Sequence, residues 1–256
     1  MQSNGTVWAW GLNIFDQLGD GTQKDKHYPV QIGLLPFAAG GAHSLWLKSN
    51  GSLWAAGAND YGQLGDGGTL AQARPIPIGG TWQWRAVWAG EDHSLGLKSD
   101  GTLWAWGRNF FGQLGETTTT DRPEPVKVVD DGPWKTAGVG TAHNVALQTD
   151  GSLWTWGWNY YGQLGNGTTG GYTTLPARIG SATDWRSGAA GWAHTLALKN
   201  DGSLWAWGRN DHGQLGVGTY ADQSEPKQIG SETNWANVWA GGTHTLALKK
   251  DGTLWA

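Results

Sequence analysis

Asp100-Gly101-Thr102-Leu103-Trp104-Ala105-Trp106-Gly107-Arg108-Asn109-Phe110-Phe111-Gly112-Gln113-Leu114-Gly115 decides the fold, because the chain writes this stretch repeatedly. Its opening hexapeptide recurs as Asn50 to Ala55, Asp150 to Thr155, Asp201 to Ala206 and Asp251 to Ala256, and once more as Asn4-Gly5-Thr6-Val7-Trp8-Ala9. The turn glycines Gly5, Gly51, Gly101, Gly151, Gly202 and Gly252 stand 46, 50, 50, 51 and 50 residues apart. After each of the first five comes an Asn (Asn13, Asn59, Asn109, Asn159, Asn210) that opens Asn-x-x-Gly-Gln-Leu-Gly, with Asp16 replacing the first Gly in copy one. A Pro follows (Pro29, Pro75, Pro125, Pro176, Pro226), then His43, His93, His143, His194 and His244. A fixed period of this length marks one supersecondary unit stacked on itself. Five tandem copies fill residues 1–256 and leave no room for a second domain.

Within one copy, Ser44-Leu45-Trp46-Leu47-Lys48 and Ser52-Leu53-Trp54-Ala55 flank Asn50-Gly51 and form a β-hairpin. Asn-Gly or Asp-Gly supplies the positive φ that a tight hairpin turn demands. Val87-Trp88-Ala89 and Pro75-Ile76-Pro77-Ile78 add two short strands, the second at a sheet edge, where proline costs no ladder bond. Four short strands per period with Gly-rich turns describe a propeller blade. The expected fold is all-β: a β-propeller of four-stranded blades built from five repeats plus one duplicated terminal strand. Stacked blades should bury most of the 20 tryptophans. The sixth hexapeptide is surplus to a closed five-bladed ring. It is expected to hang loose, to be exchanged with another chain, or to mark a segment cut from a longer propeller. An unclosed ring exposes sheet edges and blade faces, so self-association is expected.

Lys plus Arg total 17 and Asp plus Glu 21, a net charge of −4, and no basic tract is present. That argues against a nucleic-acid surface, which concentrates cations against phosphates. With no Cys, disulfides, thiolate metal sites and a cysteine nucleophile are excluded. No stretch reaches the roughly 18 apolar residues of a membrane span, and no targeting segment is legible in this chain.

The motif Gly-x-Leu-Trp-Ala-Trp-Gly-x-Asn-x-x-Gly-Gln-Leu-Gly, followed by Ala-Gly-x-x-His-Ser/Thr-Leu-Ala-Leu, resembles the regulator of chromosome condensation repeat family in its bacterial-type, tandem-repeat form. The resemblance runs from Asn4 to Ala256. It implies propellers of four-stranded blades, commonly seven, among whose members are a GTPase exchange factor and a plant UV-B photoreceptor. Light sensing in that relative rests on Gly-Trp-Arg-His-Thr. Here Gly191-Trp192-Ala193-His194-Thr195 matches once, with Ala in place of Arg, and a lone Trp makes no cluster. Exchange-factor activity is no better supported, since no insertion interrupts the repeats.

The five equivalent histidines read as structural, each bonding a backbone group at the start of its strand, because a ring of blades sets them too far apart for metal bonds. His27 and His212 fall in loops without carboxylate spacing. Ser44, Ser94, Thr195 and Thr245 follow their His directly, but adjacency is no catalytic triad. Asp16, Asp20, Asp60 and Asp66 lack the alternation of a calcium loop. No enzyme, cofactor or metal is therefore expected. Function is expected where the copies differ, because loops on a rigid scaffold carry binding. After each Trp-Gly (Ala-Gly in copy two) stand Leu12, Ala58, Arg108, Trp158 and Arg209. The pairs after each Asn include Phe110-Phe111, Tyr160-Tyr161 and Asp211-His212, and the pairs before each His include Glu91-Asp92 and Trp192-Ala193. Phe15, Tyr61, Phe111 and Tyr161 recur at one offset and should pack beneath their loops. The expected partner-binding residues are Arg108, Phe110, Trp158, Tyr160, Trp192, Glu91, Asp92 and Arg209, with Arg108 set between two aromatic loops. The function that follows is a non-enzymatic scaffold for another protein. A sugar-binding propeller is the alternative, weakened because its pocket should repeat and these residues do not.

Overall fold

The structure, a computed structural model, describes residues 6–14, 17, 18, 20, 22–34, 37–129 and 132–256. Phe15, Asp16 and the first Asn4-Gly5 turn lie outside the described residues. The chain divides into two compact units, Met1–Phe110 with Thr120–Val128, and Phe111–Thr119 with Val129–Ala256. No helix is long and apolar enough to cross a membrane among the described residues.

The first unit contains three sheets. β1 (Thr6–Gly11) pairs with β2 (Lys26–Leu34). β3 (Phe37–Ala39), β4 (His43–Leu47), β5 (Leu53–Gly57) and β6 (Gln72–Ile78) form a four-stranded antiparallel sheet in chain order. β7 (Trp84–Ala89), β8 (His93–Lys98), β9 (Leu103–Gly107) and β10 (Arg122–Lys127) form the next. In the second unit, β11 (Trp134–Val139), β12 (His143–Gln148), β13 (Leu153–Trp158) and β14 (Tyr172–Arg178) make one sheet. β15 (Trp185–Ala190), β16 (His194–Lys199), β17 (Leu204–Gly208) and β18 (Gln223–Gln228) make another. β19 (Trp235–Ala240), β20 (Thr245–Lys249) and β21 (Leu254–Trp255) end the chain as a three-stranded sheet.

These are the four-stranded blades of a β-propeller, with the proline-bearing strand at the sheet edge. The blade is out of phase with the sequence repeat. It starts at the Trp84-type strand, so five repeats yield four complete sheets flanked by a pair and a triplet. The duplicated strand β21 does not hang loose: Ala247 pairs with Trp255 and Leu248 with Leu254.

Successive sheets join through one backbone carbonyl per repeat. Asn59 Oδ1 accepts the Leu64 N–H at 3.0 Å, and Gln63 Oε1 accepts the Tyr61 N–H at 3.0 Å, which pins the loop after β5. The Gln63 carbonyl then accepts Ser94 Oγ–H at 2.8 Å and Trp106 Nε1–H at 2.9 Å, both from the following sheet. In the second unit the Gln163 carbonyl accepts Thr195 Oγ1–H at 2.8 Å and Trp207 Nε1–H at 2.9 Å. A Cβ on Gly65 would stand 2.8 Å from the Trp106 indole nitrogen, so the last Gly of the motif is what lets the ring in. Trp106, Trp84, Leu64 and Ile78 share one core cluster. Eight tryptophans are buried (Trp46, Trp84, Trp106, Trp134, Trp156, Trp185, Trp207, Trp235), fewer than the majority expected from stacking alone. Others line the turn end half-exposed, where Lys98 Nζ sits 3.6 Å from the Trp82 centroid and 3.5 Å from that of Trp104.

The histidines bond a neighbouring side chain, a correction to the backbone partner expected of them. His43 Nε2 lies 2.9 Å from Ser94 Oγ, His143 Nε2 2.9 Å from Thr195 Oγ1, and His194 Nε2 3.2 Å from Thr245 Oγ1. Ser94 spends its only proton on the Gln63 carbonyl, so His43 Nε2 must carry the proton and donate it. His43 Nδ1 is then a buried lone pair with no hydrogen-bond partner. Burial, with a minor contribution from His93, pushes the His43 pKa down to about 3; burial, with His244, pushes that of His194 down to about 4.

Two outcomes are expected. Ser94→Ala strands the His43 proton and should cost about 1–3 kcal/mol of stability by denaturant unfolding. The second concerns pH. The folded-state pKa values lie below the ordinary 6.5, so the unfolded chain binds more protons between pH 6.5 and about 3–4. Stability is fully present above pH 6.5 and should fall through that window on acidification. His43→Asn should make the fall shallower, measured as melting temperature against pH.

Candidate functional site

In copies two to five the residue after the Trp-Gly or Ala-Gly is fixed before its side chain matters. Its N–H donates to the carbonyl of the residue preceding the His: Ala58 to Ala42 at 2.8 Å, Arg108 to Asp92 at 2.9 Å, Trp158 to Ala142 at 2.9 Å, and Arg209 to Ala193 at 2.8 Å. Gly107 enters this bend at φ +98°, and a Cβ there would meet the Asp92 carbonyl at 2.5 Å. Glycine is therefore obligatory, and the following side chain is held beside the aromatic pair of the Asn loop and the pair before the His.

In the first unit this position is polar. Arg108 Nη1 lies 3.1 Å from Asp92 Oδ2, and its guanidinium carbon lies 4.7 Å over the Tyr61 ring. The Arg and Asp side chains are 38% and 24% exposed, so the ion pair contributes at most about 1 kcal/mol. Glu91 and Phe110 are exposed, while Tyr61 is half-buried under its loop.

In the second unit the same positions build an aromatic cluster. Trp158 stands 6.3 Å from Tyr160 in a stacked pair, 5.6 Å from Tyr161, 6.0 Å from Trp192 and 5.6 Å from Phe111. Tyr160 is exposed, and Trp158 and Trp192 are half-buried. The cation here is Arg209, 4.4 Å over Trp192 and 5.2 Å over Tyr161, whereas Arg108 is held by Tyr61 and Asp92. Arg209 Nη2 donates to Asp211 Oδ2, and that bond holds the Asp211 carboxyl below the usual carboxylate range. Arg209 Nε is buried without a hydrogen-bond partner. A guanidinium flanked by two rings gains about 0.5–2 kcal/mol from their quadrupoles.

Of the expected residues, the structure thus gathers Trp158, Tyr160, Trp192 and Arg209 in one unit, and pairs Arg108 with Asp92 in the other. Trp192 is not a lone Trp, since Trp158 reaches it from a separate segment. Phe111 and Tyr161, expected only to pack, also line the cluster, and sequence reasoning missed Tyr172 altogether. Tyr172 faces Trp158 across the β13–β14 ladder and lies 6.4 Å from Phe111. The strand offset between Trp158 and the residues before Pro176 was the available signal. Among the described residues no group of three His, Cys, Asp or Glu is placed to hold a metal. His27 and His212 are exposed, and His212 Nδ1 lies 3.1 Å from Asp211 Oδ1.

Comparison with known proteins gives the context. Residues 38–256 match the RCC1-like domain, and residues 4–47 match the regulator of chromosome condensation (RCC1) repeat. A 38-residue stretch is 53% identical to the ultraviolet-B receptor UVR8 of Arabidopsis thaliana, and a 31-residue stretch is 55% identical to an RCC1 domain-containing protein of Dictyostelium discoideum. Those stretches are 15% and 12% of this chain, and only 9% and 6% of those proteins. Among solved structures, human WBSCR16 superposes with a TM-score of 0.85 at 25% identity, over 95% of this chain and 67% of that one. Yeast RCC1 (Prp20), solved bound to Kap60, superposes with a TM-score of 0.83 at 24% identity, over 96% of this chain and 62% of that one. Repeat sequence, four-stranded blades and family match agree: the chain belongs to the RCC1-like β-propeller family.

Proposed function

We propose that this propeller acts without catalysis, as a scaffold that binds another protein through the Trp158–Trp192–Arg209 face. The observation that carries this is the cluster itself. Two tryptophans, two tyrosines and an arginine converge at a sheet end, and these residue types dominate interface energetics. Exposed Tyr160 offers a stacked ring, and the Arg209–Asp211 pair offers polar contacts at the rim. The yeast relative was solved with a protein partner, which makes a protein ligand reasonable for this fold. In the other unit the Arg108–Asp92 ion pair, with exposed Glu91 and Phe110 next to it in sequence, offers separate contacts for a protein partner.

The test is affinity capture with the intact chain and with Trp158→Ala and Arg209→Ala chains, followed by titration of the recovered protein. Each truncation should weaken binding by about 30-fold, the equivalent of about 2 kcal/mol, with the melting temperature nearly unchanged. If Trp158→Ala instead lowers the melting temperature by many degrees and leaves affinity alone, Trp158 is core and the proposal fails. Specific capture of glycans, with no protein recovered, would favour a sugar-binding role.

A further inference from the structure

Most indole N–H groups around the Trp158 cluster's counterparts have a settled destination. Trp106, Trp156 and Trp207 donate to the Gln carbonyl of the preceding repeat. Trp104, Trp154 and Trp205 donate to the hydroxyl two residues earlier, on Thr102, Ser152 and Ser203, each at 2.9 Å. Those of Trp84, Trp185 and Trp235 are enclosed within the protein. Trp158 and Trp192 follow none of these patterns. Among the described residues their Nε1–H groups meet no acceptor, yet they are not enclosed. The same holds for the phenol O–H groups of Tyr160, Tyr161 and Tyr172. One cluster of rings thus turns its hydrogen-bond donors to solvent.

That balance selects a ligand. Indole and guanidinium groups donate hydrogen bonds and cannot accept them. The carboxylate beside the cluster, Asp211, already accepts from Arg209 Nη2, and its other oxygen lies 3.1 Å from His212 Nδ1. A complementary ligand therefore brings acceptors, few donors of its own, and apolar surface to lay on the rings. A sugar, with a donor on every hydroxyl, would find too few acceptors here. The rings also stand at steep angles, Tyr160 to Tyr161 at 77° with centroids 5.0 Å apart, and Trp158 to Trp192 at 64° and 6.0 Å. Rings so disposed make notches for a compact, stiff apolar group. Proline-rich chain in the polyproline II conformation meets each demand. Proline lacks the backbone N–H and keeps its carbonyl, and this helix leaves those carbonyls without internal partners. Its conformation is set before binding, so docking orders little. The C–H groups of the proline ring beside its nitrogen carry partial positive charge, which complements the negative π faces of Trp and Tyr. We infer that the Trp158–Trp192 face docks a proline-rich segment of a partner protein. Prolines seat in the two notches, and Trp158 Nε1–H, Trp192 Nε1–H and Tyr160 Oη–H donate to carbonyls of the segment. Arg209, 4.4 Å over Trp192 and 5.2 Å over Tyr161, holds those two rings in place. The inference rests on the protein-scaffold reading of this face and names its ligand.

The probe is an end-capped proline decamer, titrated calorimetrically into the intact chain beside a Gly-Ser decamer. The proline decamer should bind saturably, and the Gly-Ser decamer should not bind. Trp192→Phe and Tyr160→Phe each keep a ring and delete one donor. Each should weaken binding by about fivefold, the loss of one hydrogen bond, with an unchanged melting temperature. Tyr160→Ala, at an exposed position, should weaken it further. Absence of saturable binding by the proline decamer overturns the inference, as does affinity indifferent to both Phe variants. Saturable binding of a neutral glucan hexasaccharide in the decamer's place overturns it as well. The underlying reading is separable from this one. A captured protein whose binding is lost with Trp158→Ala, yet is not displaced by the proline decamer, leaves the scaffold reading standing and overturns the inference.

Discussion

The carbonyl of the Gln in each Gly-Gln-Leu-Gly loop is the contact on which the rest of the structure depends. A carbonyl has two lone pairs, and at Gln63 and Gln163 both are used, one by a hydroxyl and one by an indole from the next sheet. The loop must therefore be rigid before the next sheet arrives, and the buried Asn and the Gln side chain provide this by taking backbone N–H groups within the loop. Variation between copies respects the same need. Where Asn144 replaces the hydroxyl residue, its Nδ2 still donates to the Gln113 carbonyl at 2.8 Å, beside Trp156 Nε1 at 3.0 Å. Where Ala56 replaces the second Trp, Ser44 Oγ–H still reaches the Gln17 carbonyl at 2.6 Å.

From that carbonyl the protonation of the interior follows. The hydroxyl's proton is committed, so its oxygen accepts from the histidine, and the histidine is fixed as the neutral Nε2–H tautomer. A second proton on His43 would place a charge in a site with no acceptor for it, which is why burial dominates the lowered pKa. The repeated histidine is thus a packing element, and burial disfavours its charged form at His43 and His194.

Sequence alone carried the hairpins, the edge prolines and the strand count, because Asp-Gly turns, alternation and the cost of proline in a ladder are local effects. The 21 strands among the described residues equal five repeats of four plus the duplicated one. The phase of the blade was not legible: the repeat is written from the Gly-Leu-Trp strand, whereas hydrogen bonding starts a sheet at the Trp84-type strand. The histidine's partner was missed for a similar reason, as Ser94 is 51 residues from His43 and only packing of one sheet on the next brings them together. In the candidate site, Trp158, Trp192 and Arg108 stood out individually by breaking the repeat pattern, whereas the arginine packed over Trp192 is Arg209 and Arg108 lies over Tyr61. The convergence of Trp158, Trp192 and Arg209, and the part played by Tyr172, depends on a strand register and on three separated segments.

Equivalent positions in the two units show how an invariant frame yields a local difference. Both place an arginine over the tyrosine of the preceding loop, Arg108 over Tyr61 and Arg209 over Tyr161. The backbone bond after Trp-Gly fixes that geometry whatever the neighbouring pair contains. In one unit the neighbour is Asp92, a carboxylate that satisfies the cation and keeps the surface polar. In the other it is Trp192, which gives the cation a second ring and brings Trp158 into contact. The charge partner of Arg209 moves outward to Asp211, whose side chain is about half exposed. The change from an acidic to an aromatic neighbour therefore converts a self-neutralised pair into a broad ring-lined face with its ion pair at the rim. The Gln carbonyl and the indole that join the sheets, Gln63 with Trp106 and Gln163 with Trp207, are the same in both units, so the aromatic face and the sheet-joining contacts occupy separate positions of the repeat.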